Sequence, residues 1–211
     1  MTNVMRKSLL ALLFLIVGFN FNCFALQTGQ SEVSSAEYAV YSAVLTQSYA
    51  RAGITLFVIE DHTENTSGNY EDDIAGHFRY VKKHIPSLSQ AAINDYRKKD
   101  GESQPLTRLF KFKIKYALIS RTKFEGFAGP GEMMEISKEG WEKFYQEYPG
   151  ALGLVALSRV GFDPKKNQAL VYVTDMRGHP SGRSWGAGSY VLLIKKHGAW
   201  RVRGHVAVLV S

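Results

Sequence analysis

The sequence predicts an α+β domain in which helices from the first half of the chain pack on one face of a curved antiparallel sheet. Two observations support this prediction. Apolar residues recur at steps of three and four after Ser34 and again after Pro86, which is the spacing of one helical face. The last third of the chain holds β-branched and aromatic runs separated by turn residues, which predicts a meander of antiparallel strands.

The amino-terminal segment has the pattern of an export signal. Two basic residues precede the apolar run 9–17, which is too short to cross a bilayer as a helix. Cys23 and Ala25 then provide the small side chains that signal peptidase accepts before a cut after Ala25. We therefore expect a signal peptide at residues 1–25 and an exported product, periplasmic or secreted, with no transmembrane span.

Cys23 is the only cysteine of the chain and lies inside this predicted signal. Its acylation in a lipoprotein is the alternative, but such signals carry small residues before the cysteine, where this chain has Phe21 and Asn22. Cleavage after Ala25 leaves a product without cysteine. Disulfides, thiolate nucleophiles and cysteine-ligated metals are then excluded.

The remainder of the chain is predicted to be one moderately basic domain. We expect a disordered leader at residues 26–33 and a single domain at 34–211, a usual size for one hydrophobic core. The formal charge falls from +7 to +5 when Arg6 and Lys7 are removed with the signal. This charge favours weak attraction to anionic surfaces, but the cations are scattered, which argues against specific nucleic-acid binding.

The domain is predicted to open with a helix and a strand. The helix begins after Ser34 or Ser35, has Glu37 in its first turn as part of the cap, and ends near Gly53. The β-branched and aromatic run 54–59 follows and predicts a buried strand.

The middle of the chain is predicted to contain a loop, two helices and a strand. Polar residues predict the loop over 63–70, and the pattern over 86–100 predicts a helix that ends at Gly101. Apolar and basic side chains alternate over 110–116, which predicts a strand with one buried and one exposed face. Ser137 begins a short third helix.

The last third is predicted to form the antiparallel meander. Its strands are expected at 152–162, 169–176, 190–195 and 200–210. A tight turn at His197 and Gly198 joins the last two strands, so that Lys195 pairs with Trp200.

Four motifs in this region resemble an uncharacterised family of exported bacterial proteins. They are Ser158-Arg159-Val160-Gly161-Phe162-Asp163, Gln168-Ala169-Leu170-Val171-Tyr172-Val173, Gly188-Ser189-Tyr190-Val191-Leu192-Leu193 and Gly198-Ala199-Trp200-Arg201-Val202. Members of that family often carry a pair of Cys-Gly motifs before the segment that corresponds to the third motif. Residues 177–187 of this chain contain no cysteine and so lack such motifs. The resemblance implies export and no particular activity.

The order of helix and hairpins, ending in a Gly-x-Trp-x-Val strand, is also similar to nuclear-transport-factor-two-like cone folds. Those folds hold small ligands between sheet and helices. The similarity concerns the fold and transfers no chemistry.

A Gly-rich loop is predicted over 177–188 and is dense in cationic, hydroxyl and aromatic side chains. Such side chains, together with backbone N–H groups, suit an anion. The alternative is a long flexible connection without a binding role. The candidate binding residues of this loop are Arg177, His179, Arg183 and Trp185.

The carboxy-terminal hairpin is expected to present a second group of candidates. Alternation along the two strands predicts one face that mixes apolar and cationic groups and suits an anionic, partly apolar ligand. The alternative is that the arginines extend over exposed sheet. This face is expected to place Tyr190, Leu192 and Ile194 opposite His205, Arg203 and Arg201.

No catalytic or metal-binding set is recognisable in the sequence. His77 and His84 would lie about 10 Å apart on a helix, too far to share a zinc ion. The acidic and imidazole groups that end the first strand are expected to be solvated, and no Gly-x-Ser-x-Gly motif is present. We expect neither a metal nor a cofactor.

These observations favour an exported, non-enzymatic domain that binds a small anionic ligand or a cell-envelope partner. One alternative is a hydrolase-like enzyme whose pocket gathers Asp175, Arg177, His179 or His205 from separate strands. Another is a structural envelope subunit that assembles through an exposed sheet edge.

Overall fold

The computed structural model describes residues 32–51, 53–67, 74–128, 136–178 and 184–210. The predicted signal peptide, 1–25, and the leader up to residue 31 lie outside the described residues. None of the helices in the described part of the chain is long and apolar enough to cross a membrane.

Helices and strands follow one another in the order that defines an α+β fold. The helices are α1 (Ser35–Val44), which continues as a π-helical turn (Leu45–Tyr49), α2 (Ile74–His84), α3 (Gln90–Lys99), α4 (Arg121–Glu125) and α5 (Lys138–Glu147). The strands are β1 (Leu56–Glu60), β2 (Lys115–Ile119), β3 (Ala151–Leu157), β4 (Gly161–Phe162), β5 (Gln168–Gly178), β6 (Ser184–Lys196) and β7 (Ala199–Val210).

The described strands form one mixed sheet in the order β2-β1-β3-β5-β6-β7, with β4 paired to β5. β1 is parallel to both of its neighbours, β2 and β3. From β3 onward every pairing is antiparallel, which is the predicted meander. The predicted α+β class is therefore confirmed. The sheet differs from the predicted antiparallel one in the parallel pairings that β1 makes with β2 and β3.

Helices cover both faces of the sheet rather than the single face expected from the sequence. Val171 and Val191 pack with α1 on one face. Leu170 and Leu192, their neighbours along the same strands, pack with α2 and α3 on the other. Successive strand residues point to opposite faces, so long apolar strands of this kind must be covered twice.

The start of α1 is fixed by a reciprocal cap, as predicted. The Glu37 N–H donates to the Ser34 hydroxyl at 3.4 Å, and the Ser34 N–H donates to the Glu37 carboxylate at 2.8 Å. The helix then widens into its π turn. There the Gln47 amide bonds to edge strand β7, donating to the Trp200 carbonyl at 3.0 Å and accepting from the Val202 N–H at 3.1 Å.

The second predicted helix starts four residues later than expected. The Ser89 hydroxyl accepts from the Ala92 N–H and caps α3, so Pro86 belongs to the preceding turn. α2 was not predicted. Its apolar residues Ile74, Phe78 and Val81 do recur at helical spacing. The helix begins four residues after the end of the loop predicted over 63–70.

Two strand predictions need correction. The strand predicted over 110–116 begins only at Lys115; Phe110 and the residues after it alternate in burial but do not join the sheet. The strand predicted over 152–162 breaks after Leu157, where the next residues turn to contact α1. The helix predicted after Ser137 is confirmed as α5, with that serine as its cap.

Candidate functional site

The described residues of the Gly-rich segment, 177–178 and 184–188, are strand rather than the predicted loop. β5 extends to Gly178 and β6 begins at Ser184, because the two strands continue their pairing through the glycines. Arg177 and Trp185 are paired across the strands, and the guanidinium lies 4.8 Å from the indole ring centre. The same guanidinium forms an ion pair with buried Asp175. His179 and Arg183 lie outside the described residues.

The carboxy-terminal hairpin has the predicted turn but not the full predicted register. Lys195 pairs with Trp200 and Ile194 with Arg201, as expected. An irregularity then inserts Arg203 as an extra residue of β7. A bulge of this kind shifts every later pair by one residue, which is why the predicted pairing of Tyr190 with His205 is wrong.

Tyr190 pairs with Val206, and His205 is opposite Val191. The face that carries Tyr190 and Leu192 is buried under α2 and α3. Arg201, Arg203 and His205 are exposed on the edge strand. The predicted open, mixed sheet face is therefore absent from this part of the chain.

The predicted binding residues do not meet at one site. Trp185 and Tyr190 are five residues apart on β6 and so lie about 17 Å apart on opposite faces. Among the described candidates, Tyr190 lines a cavity. This cavity, the α2–α3 pocket, has a volume of about 380 Å³, and its lining includes Thr66, His77, Phe78, Arg97, Lys98, Asp100 and Tyr190.

One wall of the α2–α3 pocket is aromatic. The Tyr190 ring centre lies 5.5 Å from that of Phe78 and 5.2 Å from that of His77. Burial lowers the pKa of His77 below its ordinary value of 6.5, so its imidazole is uncharged at neutral pH. The wall is therefore an uncharged set of rings contributed by α2 and β6.

The inner end of the pocket is a polar network around Asp100, which is 6% exposed. Thr66 donates twice to the carboxylate, from its N–H at 3.1 Å and from its hydroxyl at 2.6 Å. The Tyr96 hydroxyl donates to the same carboxylate at 3.2 Å. These bonds fix the carboxylate between the loop after β1 and the end of α3.

The ionisation of Asp100 reflects its burial. Removal from water raises the pKa of Asp100 above its ordinary value of 3.8, although the hydrogen bonds from Thr66 and Tyr96 act in the opposite direction. Asp100 also caps the carboxyl end of α3, where the helix dipole opposes a negative charge. The carboxylate therefore sits where a positive charge would stabilise it.

The outer end of the pocket is cationic. Arg97 and Lys98 line it from the last turn of α3 and are exposed. Neither forms an ion pair with another residue in the described ranges. Two cations that have no ion-pair partner among the described residues, at the mouth of a cavity, are available to an acidic group.

A second, more open groove of about 480 Å³ is a weaker candidate because its charges satisfy one another. Arg159 and Glu37, both 2% exposed, form an ion pair at 2.9 Å. Lys99 is held by Asp95 at 2.6 Å and by the Val160 carbonyl at 3.1 Å. Burial raises the pKa of Glu37, but the bonds from Arg159 and the backbone bring it below its ordinary value.

A third group of polar side chains lies at the carboxyl ends of β1, β2 and β3, where ligands often bind in sheets with parallel strands. Arg121 donates to Glu60 at 3.3 Å, and the Thr174 hydroxyl donates to Glu64 at 2.7 Å. Burial raises the pKa of Glu64 to about 7, and the charge of nearby Glu60 acts in the same direction.

Of the residues suggested for a hydrolase-like pocket, Asp175 and Arg177 are paired, but Asp175 and His205 are not brought together. Asp175 is opposite Ala187 on β6, whereas His205 of β7 is opposite Val191. Four residues along the strands and two strands across separate the carboxylate from the imidazole by about 16 Å. They cannot act as a catalytic pair in this arrangement.

The sequence reasoning missed the pocket except for Tyr190. One signal was present in the sequence: Asp100 follows three cations at the end of a predicted helix, where an acidic residue opposes the dipole. Thr66 and Phe78 gave no comparable signal, because their role depends on contacts made across the fold.

Comparison of the chain with protein-family models, with curated proteins and with solved structures gives no match. Across the described ranges, no group of three or more His, Cys, Asp or Glu residues is placed to hold a metal ion. The geometry of the α2–α3 pocket is therefore the basis on which a function can be proposed.

Proposed function

We propose that this protein is an exported, non-enzymatic domain that binds a small ligand with an acidic group in the α2–α3 pocket. The observation that carries the proposal is the presence of Arg97 and Lys98, which form no ion pair within the described ranges, at the mouth of an aromatic-walled cavity. The acidic group binds these cations, and the apolar part of the ligand packs on Phe78 and Tyr190. Export rests on the predicted signal at residues 1–25.

The pocket has the features of a small-molecule site. Its volume of about 380 Å³ lies within the range that holds small ligands. Its lining combines the rings of Phe78 and Tyr190, which provide contact area, with polar and charged side chains that can orient a ligand. A site for a large polymer would instead require an extended exposed surface.

The test is a thermal-shift screen of the purified protein against small carboxylates and phosphates, with and without an aromatic or aliphatic body. A ligand at a hundred times its dissociation constant adds about 2.7 kcal/mol of stability, which gives a clear rise in Tm. We expect the rise to disappear in the Arg97→Ala/Lys98→Ala variant.

The matched control is Lys111→Ala/Lys113→Ala, which removes two exposed cations from a segment outside the pocket. If both double variants lose the shift equally, the ligand responds only to net charge and the pocket proposal is wrong. If no compound shifts Tm, a macromolecular envelope partner becomes the better explanation.

A further inference from the structure

We propose that the ligand of the α2–α3 pocket is a zwitterion whose ammonium group binds at Asp100 and whose acidic group binds Arg97 and Lys98. This inference rests on the proposed function and adds the charge and orientation of the ligand. The pocket carries opposite charges at its two ends, with an aromatic wall beside the inner one.

The inner end has an acceptor to spare. A carboxylate offers about four lone-pair sites. In the described part of the chain, Asp100 receives three hydrogen bonds, two at Oδ1 and one at Oδ2. One lone-pair site on Oδ2 is therefore left, and Asp100 lines the pocket, so this site can accept a hydrogen bond from a ligand.

The Asp100 carboxylate also has no counter-charge among the described residues. No lysine, arginine or histidine of the described ranges forms an ion pair with Asp100. Buried charges in proteins are normally paired. An ammonium group on the ligand supplies both the missing donor and the missing charge.

The aromatic wall suits the same group. The faces of aromatic rings attract cations, and an ammonium within about 6 Å of a ring centre is stabilised. Phe78 and Tyr190 are 5.5 Å apart, and Tyr190 lies 5.5 Å from Tyr96, whose hydroxyl binds Asp100. The Phe78 ring, the two tyrosine rings and the carboxylate are therefore neighbours, so an ammonium bound at Asp100 lies beside this aromatic cluster.

The two charged ends limit the length of the ligand. Arg97 and Asp100 are three residues apart, a rise of about 4.5 Å along a helix. The Arg97 and Lys98 side chains extend this reach outward. A spacing of roughly three to six bonds between ammonium and acid fits such a site, so short ω-amino acids and their N-methylated forms are suitable probes.

A ligand with one charge fits less well. A simple anion leaves Asp100 unpaired behind it, and a simple cation meets Arg97 and Lys98 on entry. The pocket should therefore prefer a zwitterion to either half of it.

The test is isothermal titration of the protein, purified after expression of the full chain, with four probes of one chain length. They are 6-aminohexanoate, its N-trimethyl derivative, hexanoate and hexylammonium. We expect both zwitterions to bind at least tenfold more tightly than hexanoate and hexylammonium.

Variants assign the two ends. Asp100→Asn keeps one acceptor oxygen for Thr66 and replaces the other by an NH2 group that can donate to the Thr66 hydroxyl. The charge is removed, so the preference for zwitterions over hexanoate should fall to near unity while hexanoate still binds. Phe78→Leu should weaken the trimethylated probe several-fold more than it weakens hexanoate, because leucine keeps an apolar surface for the chain but has no ring face for the cation. This second variant keeps the test decisive if Asp100→Asn fails to fold.

The outcomes separate the two proposals. If hexanoate binds as tightly as the zwitterions in the unmodified protein, the zwitterion inference is overturned and the acidic-ligand function stands. If none of the four probes binds and the wider acid screen also fails, both are overturned.

Discussion

Glu64 is the side chain whose ionisation should be most visible in solution. The Thr174 hydroxyl donates to its carboxyl group, and burial raises the pKa of Glu64 to about 7. In an unfolded chain a glutamate ionises near pH 4.3. Folding therefore favours the protonated form, and this contribution to stability is lost as the pH rises through about 7.

We predict that Glu64→Gln removes this part of the pH dependence. Glutamine keeps an acceptor for Thr174 and cannot ionise, so the variant should gain stability relative to the unmodified protein as the pH rises from 5 to 8. Urea unfolding at several pH values measures the difference. Exposed Glu102→Gln is the control and should show no such trend; equal slopes for both variants would contradict the assignment.

Arg159 shows how one side chain can interrupt an element. Its Nε donates to Glu37 at 2.9 Å, and the following Val160 N–H donates to the same carboxylate at 3.2 Å. Removing one partner from a buried ion pair typically costs about 3–5 kcal/mol. Both bonds to Glu37 are made by the segment between β3 and β4, where the strand predicted over 152–162 is interrupted.

At the scale of elements, α3 is the helix that positions the pocket, and it is held unusually close to the sheet. An added Cβ at Gly161 of β4 would lie 2.3 Å from the Ala92 carbonyl oxygen and 2.5 Å from the Tyr96 Cβ. The Phe162 N–H donates to Asp95 of α3 at 2.8 Å. Only glycine at this position allows the approach.

We predict that Gly161→Ala pushes α3 outward and destabilises the protein by about 1–3 kcal/mol, the usual cost of overpacking. Ligand affinity should fall as well, because Asp100 and Arg97 move with the helix. Chemical denaturation and titration measure the two effects. Gly101→Ala, where an added Cβ meets no atom within 4 Å, should be nearly neutral; an equal loss there would point to a backbone effect instead.

Local patterns predicted the elements better than they predicted the pocket. The caps at Ser34 and Ser137 and the turn at His197 depend on nearby residues, and all three were found where expected. The alternation over 110–116 indicated burial correctly but not hydrogen bonding, because a segment can alternate while packing on a sheet without joining it.

The candidate site could not be assembled in the same way. Its residues come from the loop after β1, from α2, from α3 and from β6, which are brought together only by tertiary packing. The bulge at Arg203 depends likewise on the pairing of whole strands. One inserted residue was enough to move His205 out of register with Tyr190.

At the scale of the whole molecule, the two large cores share a sheet. Leu45 belongs to the core under α1 and Ile93 to the core under α3, and both cores include residues of β5 and β6. Because β5 and β6 contribute alternate residues to the two cores, unfolding of one core also exposes the residues of the other. The domain should therefore unfold as one cooperative unit.

We predict that Leu45→Ala and Ile93→Ala each lower stability by about 2–5 kcal/mol while preserving a single transition. The double variant should lose the sum of the two, since the sites lie on opposite faces. Urea unfolding followed by tryptophan fluorescence and by circular dichroism provides the measurement. Separate transitions for the two signals would show that the cores unfold independently.

The Gln47 side chain has a consequence for how molecules of this protein meet. Its amide donates to Trp200 and accepts from Val202, so one end of β7 already has a partner in place of a neighbouring strand. An incoming β-strand from a second molecule would have to displace this amide before it could template growth there. The π turn of α1 thus protects the chain against polymerisation at one end of its longest exposed edge.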